Sequence, residues 1–232
     1  NPMRFETLAI HAGAEADAET GAVAPPLQMS TTFQHGPAGE RRTGYEYQRE
    51  ANPTQDRLET CLAALEGGER ALVYASGMAA ISNTLATFVQ PGDRIVSIKD
   101  SYGGTNVIFN EFLPPLVVYI ALCEAGDYVQ LEAEIAKGCR LLYLETPTNP
   151  TIKITDIERL AAKAHAVGAL VVVDNTFATP INQLPLELGA DIVLHSASKY
   201  LGGHADALGG VICGSHELVE KVYHYREING AT

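Results

Sequence analysis

Lys199 is the residue of this sequence whose setting most clearly suggests covalent chemistry. It follows a predicted strand over residues 192–195, and the hydroxyls of Ser196 and Ser198 flank it together with two glycines. A lysine acts as a nucleophile when its amine is held near a carbonyl group and partly withdrawn from water, so that an imine can form. Ser196 and Ser198 occupy alternate positions, so both hydroxyls can face one anionic group. The spacing suits a phosphorylated aldehyde.

Two further segments offer groups that such a ligand would use. Asp174 ends an apolar run, at the carboxyl edge of a parallel sheet, where open α/β folds bind ligands. Ser76, Gly77 and Met78 form a tight turn between a predicted strand and a predicted helix, where free N–H groups and the helix dipole favour phosphate. Taken singly, Asp174 can equally cap a turn, and the Ser76 turn can be a plain connection.

Three weaker signals come from polar residues in predicted loops. Arg49 and Tyr47 lie two apart in an extended segment and would point the same way, as suits phosphate oxygens, although a solvated loop charge explains Arg49 better on its own. Tyr102 follows a predicted strand and precedes two glycines, so its ring can stack on a planar cofactor or be a core tyrosine. Glu145 and Asn149 lie in a segment with two prolines, a rigidity of little use in a plain loop.

Short β-rich runs alternate with helical patterns and predict an α/β domain with a largely parallel sheet. The predicted strands are residues 71–74, 94–98, 116–121, 140–145, 169–174, 192–195 and 210–213. The predicted helices are residues 58–65, 78–88, 128–136, 157–167 and 217–225, and Thr155-Asp156-Ile157-Glu158 predicts a helix start. Residues 1–54 are punctuated by Pro and Gly without sustained periodicity, which indicates an arm that lies on another surface.

Composition limits the classes of partner. With 46% hydrophobic and 19% charged residues among 232, the chain can bury a large core. The net charge of −12 and the lack of a basic stripe argue against nucleic acid. No apolar stretch approaches the roughly 20 residues that span a bilayer, and residues 1–13 lack a signal core, so we expect a cytoplasmic protein with no membrane partner. The four scattered cysteines form no C-x-x-C pair, so we expect reduced thiols and no metal site.

Taken together, several segments resemble the Cys/Met-metabolism family of pyridoxal-phosphate (PLP) enzymes, the group that includes cystathionine γ-lyase and cystathionine γ-synthase. The resemblance runs from about Thr7 to Thr232. The segments that carry it are Tyr47-Gln48-Arg49, Asn52-Pro53-Thr54, Ser76-Gly77-Met78-Ala79-Ala80, Tyr102-Gly103-Gly104-Thr105, Glu145-Thr146-Pro147-Thr148-Asn149-Pro150, Asp174-Asn175-Thr176 and Ser196-Ala197-Ser198-Lys199.

The resemblance implies a fold and a set of cofactor contacts. It implies the large domain of fold type I, like that of aspartate aminotransferase, over residues 55–232, with a mixed, mostly parallel sheet and the arm of residues 1–54 before it. Lys199 would form the internal aldimine with PLP and then carry protons, and Asp174 would pair with the pyridine nitrogen. Tyr102 would stack on the ring and assist proton transfer, and Asn149 would lie near the ring hydroxyl. The remaining implied cofactor contacts are Ser76, Gly77, Met78, Glu145, Thr176, Ser196 and Ser198, with the phosphate on the amides of Gly77 and Met78 and the hydroxyls of Ser196 and Ser198.

The resemblance also implies an assembly and a reaction. Tyr47 and Arg49 would reach the active site of a neighbouring subunit in a homotetramer built as a dimer of dimers. The reaction would be γ-elimination or γ-replacement on cystathionine, methionine-like or O-acyl homoserine amino acids. Lyase, synthase, O-acetylhomoserine sulfhydrylase and methionine γ-lyase activities all stay open. A PLP-binding fragment without catalysis is an alternative, and a nucleotide-dependent protein is a remote one, because the Ser76 turn lacks a G-x-G-x-x-G or Walker pattern.

The sequence departs from the family at four places. Ser198 stands where Thr is usual, and Ala205 where Ser, Asn or Gly is common; neither change should abolish cofactor binding. Gly104 stands where methionine γ-lyases carry Cys, which disfavours that activity. Family members continue with a C-terminal small domain that supplies an arginine for the substrate carboxylate, and this domain is not present in a sequence that stops at Thr232.

Overall fold

A seven-stranded sheet forms the centre of the protein, which we describe from a computed structural model covering residues 3–232. The strands are β1 Arg70–Tyr74, β2 Arg94–Ile98, β3 Tyr119–Cys123, β4 Leu141–Glu145, β5 Leu170–Asp174, β6 Ile192–Ser196 and β7 Gly210–Gly214. Their order is β1-β7-β6-β5-β4-β2-β3. Pairings among β2 to β6 are parallel, and β7 runs antiparallel to both β1 and β6. The predicted mixed, mostly parallel sheet is therefore confirmed.

Helices cover both faces of this sheet. They are α1 Phe5–His11, α2 Pro53–Glu66, α3 Gly77–Phe88, α4 Gly103–Val107, α5 Tyr128–Ala136, α6 Ile157–Ala166, α7 Thr179–Asn182 and α8 His216–Asn229. On one face, side chains of α3 and α8 pack with Tyr143, Val172 and Leu194. On the other, side chains of α5 and α6 pack with Leu144, Val173 and Val193. Strands buried on both faces explain the continuous apolar runs of the sequence.

Most predicted elements are present, with two differences. The predicted strand 116–121 begins instead at Tyr119, because Pro114–Leu116 forms a 3-10 turn and Val117 adopts a left-handed conformation with φ 62°. The segment after Tyr102, expected to be a loop, is helical as α4 and continues as a π-helix over Ile108–Phe112. The helix start at residues 155–158 is correct, since the side chain of Asp156 accepts a 3.0 Å hydrogen bond from the amide of Arg159.

The N-terminal segment is mostly irregular but is not uniformly so. It contains α1, which the sequence did not predict, and isolated bridges pair Thr32 with Tyr47 and His35 with Arg41. Helix α2 begins at Pro53, earlier than predicted, after Asn52 caps it by accepting a 2.8 Å hydrogen bond from the amide of Thr54. The helix thus runs across residues 54 and 55, and the division between arm and domain there stays a prediction.

Two other features bear on the expectations from composition. Within residues 3–232, no helix combines the length and apolarity that a bilayer crossing needs. All four cysteines are free; Cys123 and Cys213 are buried, and Cys61 and Cys139 are half-buried.

Candidate active site

A cavity of about 480 Å³ opens at the carboxyl ends of β4, β5 and β6, in the size range of small-molecule sites. Eleven of the thirteen predicted site residues line it. They are Ser76, Gly77, Met78, Tyr102, Glu145, Asn149, Asp174, Thr176, Ser196, Ser198 and Lys199. Tyr47 and Arg49 lie elsewhere in this chain.

The turn before α3 forms one wall and is built to receive an anion. The hydroxyl of Ser76 accepts a 3.1 Å hydrogen bond from the amide of Ala79, which satisfies one of the free donors at the helix start. The amides of Gly77 and Met78 precede the first turn of helical bonds and remain available to a ligand. A β-carbon at position 77 would lie 2.8 Å from Cβ of Ser196, so glycine is what allows the helix start to approach β6.

Ser196 and Ser198, the two serines beside Lys199, differ in their hydrogen-bond partners. Ser196 ends β6, and its amide donates a 2.8 Å hydrogen bond to the hydroxyl of Thr176. The hydroxyl of Ser198 lies within hydrogen-bond distance of both the amide (3.0 Å) and the carbonyl (3.3 Å) of Gly209. Both residues line the cavity, but the Ser198 hydroxyl must give up or share a backbone partner to contact a ligand.

Asp174 is a buried carboxyl group at the floor of the cavity, with 6% of its surface exposed. Its Oδ1 accepts hydrogen bonds from the amide (3.0 Å) and the hydroxyl (2.6 Å) of Thr176. Burial raises the pKa of Asp174, and the bonds from Thr176 oppose that rise. Among the described residues no cation lies within salt-bridge distance of it. A buried acid without a protein counter-ion fits a protonated ring nitrogen of a bound ligand.

Glu145 joins two loops at the rim of the cavity. Its Oε2 accepts a 2.6 Å hydrogen bond from the amide of Tyr102, and its Oε1 accepts a 3.1 Å bond from the amide of Asn149. Burial, followed by the nearby charge of Asp174, raises the pKa of Glu145 to about 8. The side chain therefore fixes where Tyr102 and Asn149 lie.

Lys199 and Tyr102 are more exposed than their predicted roles suggested. Lys199 lies in the turn after β6, where its carbonyl accepts a 2.7 Å hydrogen bond from the amide of Gly203, and its side chain borders the cavity from the solvent side. Lys199 is an exposed residue of this chain, and the partial withdrawal of its amine from water stays a prediction. Tyr102 is 44% exposed. A β-carbon at Gly104 would lie 2.8 Å from the Tyr102 ring and 2.6 Å from the Met78 sulfur, so Gly104 lets these two side chains come together.

Tyr47 and Arg49 lie next to each other outside the cavity, where Arg49 contacts α8. Residues 47–50 make a turn, not the predicted extended segment, and the amide of Glu50 donates to the carbonyl of Tyr47 at 3.0 Å. The Arg49 guanidinium lies 5.4 Å from the centre of the Tyr47 ring and donates to the carbonyl of Glu227. Neither side chain reaches the cavity of its own chain.

The sequence did not identify the apolar side of the cavity. Ile81, Phe177, Tyr200 and Leu208 line it, and the rings of Phe177 and Tyr200 lie 6.0 Å apart. Two features of the sequence could have identified Phe177 and Leu208. Phe177 directly follows the Asp174-Asn175-Thr176 segment, and Leu208 is an apolar residue in a glycine-rich loop.

Comparison with known proteins shows what the chain is similar to. A family model described as Cys/Met metabolism PLP-dependent enzyme matches residues 6–232. A cystathionine gamma-lyase of Bacillus subtilis is 44% identical over 98% of this chain and 60% of its own length. A probable cystathionine gamma-synthase of Herpetosiphon aurantiacus is 43% identical over 98% of this chain and 71% of its own length.

A solved structure gives the same picture. Cystathionine gamma synthase from Xanthomonas oryzae pv. oryzae, in complex with aminoacrylate and cysteine, matches with a TM-score of 0.97 and 38% identity. The match covers 100% of this chain and 60% of that chain. The sequence thus spans about 60% of the length of several of these relatives.

Proposed function

Because the chain belongs to the Cys/Met metabolism family of PLP-dependent enzymes, we propose that it is the cofactor-binding part of an enzyme of sulfur amino-acid metabolism. The proposed reaction is γ-elimination or γ-replacement on cystathionine, a methionine-like amino acid or an O-acyl homoserine. The enzyme is then a carbon–sulfur lyase of the cystathionine γ-lyase type or the related γ-synthase transferase. Relatives with both names match over nearly the whole chain, which supports the class and leaves the choice between them to experiment.

One observation carries the proposal. Asp174, a buried acid without a salt-bridge partner among the described residues, lies in the same cavity as Lys199 and the helix start at Gly77. These groups match a ligand that has a basic ring nitrogen, a carbonyl carbon and a phosphate. We assign Asp174 to the ring nitrogen, Lys199 to the carbonyl carbon and the amides of Gly77 and Met78 to the phosphate, with Ser196 and Ser198 beside them.

The remaining assignments follow from the same cavity. Tyr102 covers the ring face, Asn149 lies on the side of the ring hydroxyl, and Ser76, Glu145 and Thr176 hold the other contacts in place. Bound PLP supplies an electron sink for the carbon that carries the substrate amino group. Lys199 then removes the proton from that carbon and returns a proton later in the reaction, with Tyr102 assisting. The side chains of Phe177 and Leu208 add an apolar lining to this space.

The assembly and location are also proposals. We propose a homotetramer built as a dimer of dimers, in which residues 1–54 lie against a neighbour and deliver Tyr47 and Arg49 to its cavity. The position of both side chains outside their own cavity supports this arrangement. Residues 55–232 form the PLP-binding domain. The four free cysteines suit a reducing compartment, and we place the enzyme in the cytoplasm.

Absorption spectroscopy tests the cofactor assignment separately from turnover. The purified chain with PLP should show a visible band that Lys199→Ala removes and that Lys221→Ala, a change in an exposed lysine of α8, retains. A Lys199→Ala protein with the full band would refute the role of Lys199. Ammonia and 2-oxo acid release from cystathionine, methionine and O-acyl homoserine, with and without a thiol, then separates lyase from synthase.

A further inference from the structure

A buried acid and imidazole form a pair directly behind the cavity. Glu66 is the last residue of α2 and His195 lies in β6; each side chain is 1% exposed, and Nε2 of His195 contacts Oε1 of Glu66. Because Nε2 faces a carboxylate oxygen, we assign the ring proton of this contact to Nε2. In residues 3–232, the second oxygen of Glu66 and Nδ1 of His195 have no hydrogen-bond partner. The contact with each other is thus the main compensation for burying both groups.

The pair connects the ends of the two strands that carry the cavity's acid and lysine. Oε1 of Glu66 also accepts a 3.2 Å hydrogen bond from the side chain of Asn175, the residue after Asp174. The amide of Asn175 donates a 2.9 Å bond to the carbonyl of Leu194, the residue before His195. On the face of the sheet opposite the cavity, the carboxyl group of Glu66 therefore connects the end of β5 to the end of β6.

The same strand ends are joined on the cavity side. The hydroxyl of Thr176 donates to Asp174 at 2.6 Å and accepts from the amide of Ser196, the residue after His195, at 2.8 Å. Asp174, Thr176, Ser196, His195, Glu66 and Asn175 thus form a closed ring of hydrogen bonds and peptide links. The ring links the position of Asp174 to that of His195.

The pair acts on Asp174 through charge as well. Asp174 is paired in register with Leu194, so its side chain lies on the face of α3, and His195 lies on the opposite face. A proton on His195, whenever the ring carries one, lowers the pKa of Asp174 across the sheet, against the effect of burial.

We propose that His195, held by Glu66, is a positioning residue that fixes Asp174 and the turn carrying Lys199 for the cofactor. This inference rests on the proposed PLP-binding function. The alternative hypothesis is that the contact between Glu66 and His195 only stabilises the fold. The chain offers a matched control in Glu59, which also lies on α2 and pairs with the buried Arg226 at 2.8 Å, outside the cavity.

The test compares His195→Gln, Glu66→Gln and the control Glu59→Gln. Gln at 195 retains a donor near the position of Nε2 but removes the imidazole ring. Gln at 66 keeps the shape of the side chain and serves if the first variant fails to fold. We expect both site variants to weaken PLP binding about tenfold in an absorbance titration and to move the pH at which the visible band changes. We expect Glu59→Gln to lower the melting temperature of the apo protein while PLP affinity and the band stay as in the wild type.

The outcomes separate the two proposals. Site variants that lose thermal stability but bind PLP with wild-type affinity and an unshifted band would show that the pair is structural only. A wild-type chain that takes up no PLP would overturn both this inference and the proposed function. Weaker PLP binding by the site variants together with unchanged binding by Glu59→Gln supports the positioning role.

Discussion

The amide of Tyr102 donates a 2.6 Å hydrogen bond to the carboxyl group of Glu145, and this bond ties the start of α4 to the end of β4. Glu145 accepts a second bond from the amide of Asn149, so one buried side chain sets the spacing of two rim segments. A carboxyl group that must be buried to do this is harder to ionise. The protonation of Glu145 thus links the positions of Tyr102 and Asn149 at the cavity rim to pH.

Glu145 should make the stability of the apo protein depend on pH. Its pKa is raised from 4.5 to about 8, so the folded state holds a proton that the unfolded state loses first. The stabilising contribution is complete below pH 4.5 and is lost as pH rises through about 8, a change of roughly 5 kcal/mol. Urea denaturation from pH 5 to 9 should show a flatter dependence in Glu145→Gln. Glu187→Gln, at an exposed site, should keep the wild-type slope; equal slopes in all three proteins would contradict the assignment.

Gly77→Ala should damage the anion site through a backbone collision. The new β-carbon would lie 2.8 Å from Cβ and 3.0 Å from Cα of Ser196, so α3 and β6 would have to separate. We expect a loss of about 1–3 kcal/mol in the free energy of unfolding and about tenfold weaker PLP binding, measured by urea denaturation and absorbance titration. The control is Gly103→Ala, where nothing lies within 4 Å of the new carbon. If Gly77→Ala behaves like that control, close approach at position 77 is not required.

Arg226 should be one of the most costly residues to remove outside the cavity. It is 1% exposed and donates 2.8 Å hydrogen bonds to Glu59 and to the carbonyl of Val73, with a third bond of 3.2 Å to the carbonyl of Glu50. Arg226→Met leaves the Glu59 carboxylate without its cation, and we expect a loss of about 3–5 kcal/mol in urea denaturation. Adding Glu59→Gln should recover part of that loss. A cost for Arg226→Met no greater than for Lys221→Met on the same helix would refute this reading.

The sequence predicted the sheet and most of the cavity because both depend on local patterns. Apolar runs of four to six residues located six of the seven strands to within one residue at each end. The strand ends of a parallel sheet bring Glu145 and Asp174 to one edge. The β3 start was wrong because Val117 adopts a left-handed conformation that a β-branched residue rarely takes, although Pro114 and Pro115 before it indicate a turn.

Long-range contacts set the limit of prediction from the sequence. The Glu66 and His195 contact joins residues 129 apart, and no spacing rule relates an acid at a helix end to an imidazole in a distant strand. The apolar side of the cavity likewise arises from Ile81 and Phe177, which meet only in the folded chain. Motifs therefore identified groups that face the ligand, whereas the groups that hold them from behind required coordinates.

Mixing a variant with weakened PLP binding and a variant without the visible band tests whether the arm serves a neighbouring subunit. Arg49→Ala removes the proposed phosphate contact of the neighbour's cavity and should weaken PLP binding, while Lys199→Ala abolishes the visible band. If residues 47–49 act in trans, a hybrid dimer contains one cavity with both Lys199 and a neighbour's Arg49, since each interface exchanges identical segments. Co-refolded variants should then regain about a quarter of the wild-type band at limiting PLP.

Two controls make this result interpretable. When the two variants are refolded separately and then mixed, the band should appear only at the rate at which the oligomers exchange subunits. A protein that carries both Arg49→Ala and Lys199→Ala in one chain should show no visible band after refolding alone. If co-refolding restores no band although size-exclusion chromatography shows assembled oligomers, Arg49 serves its own chain, and its contacts with Tyr47 and Glu227 are then its whole role.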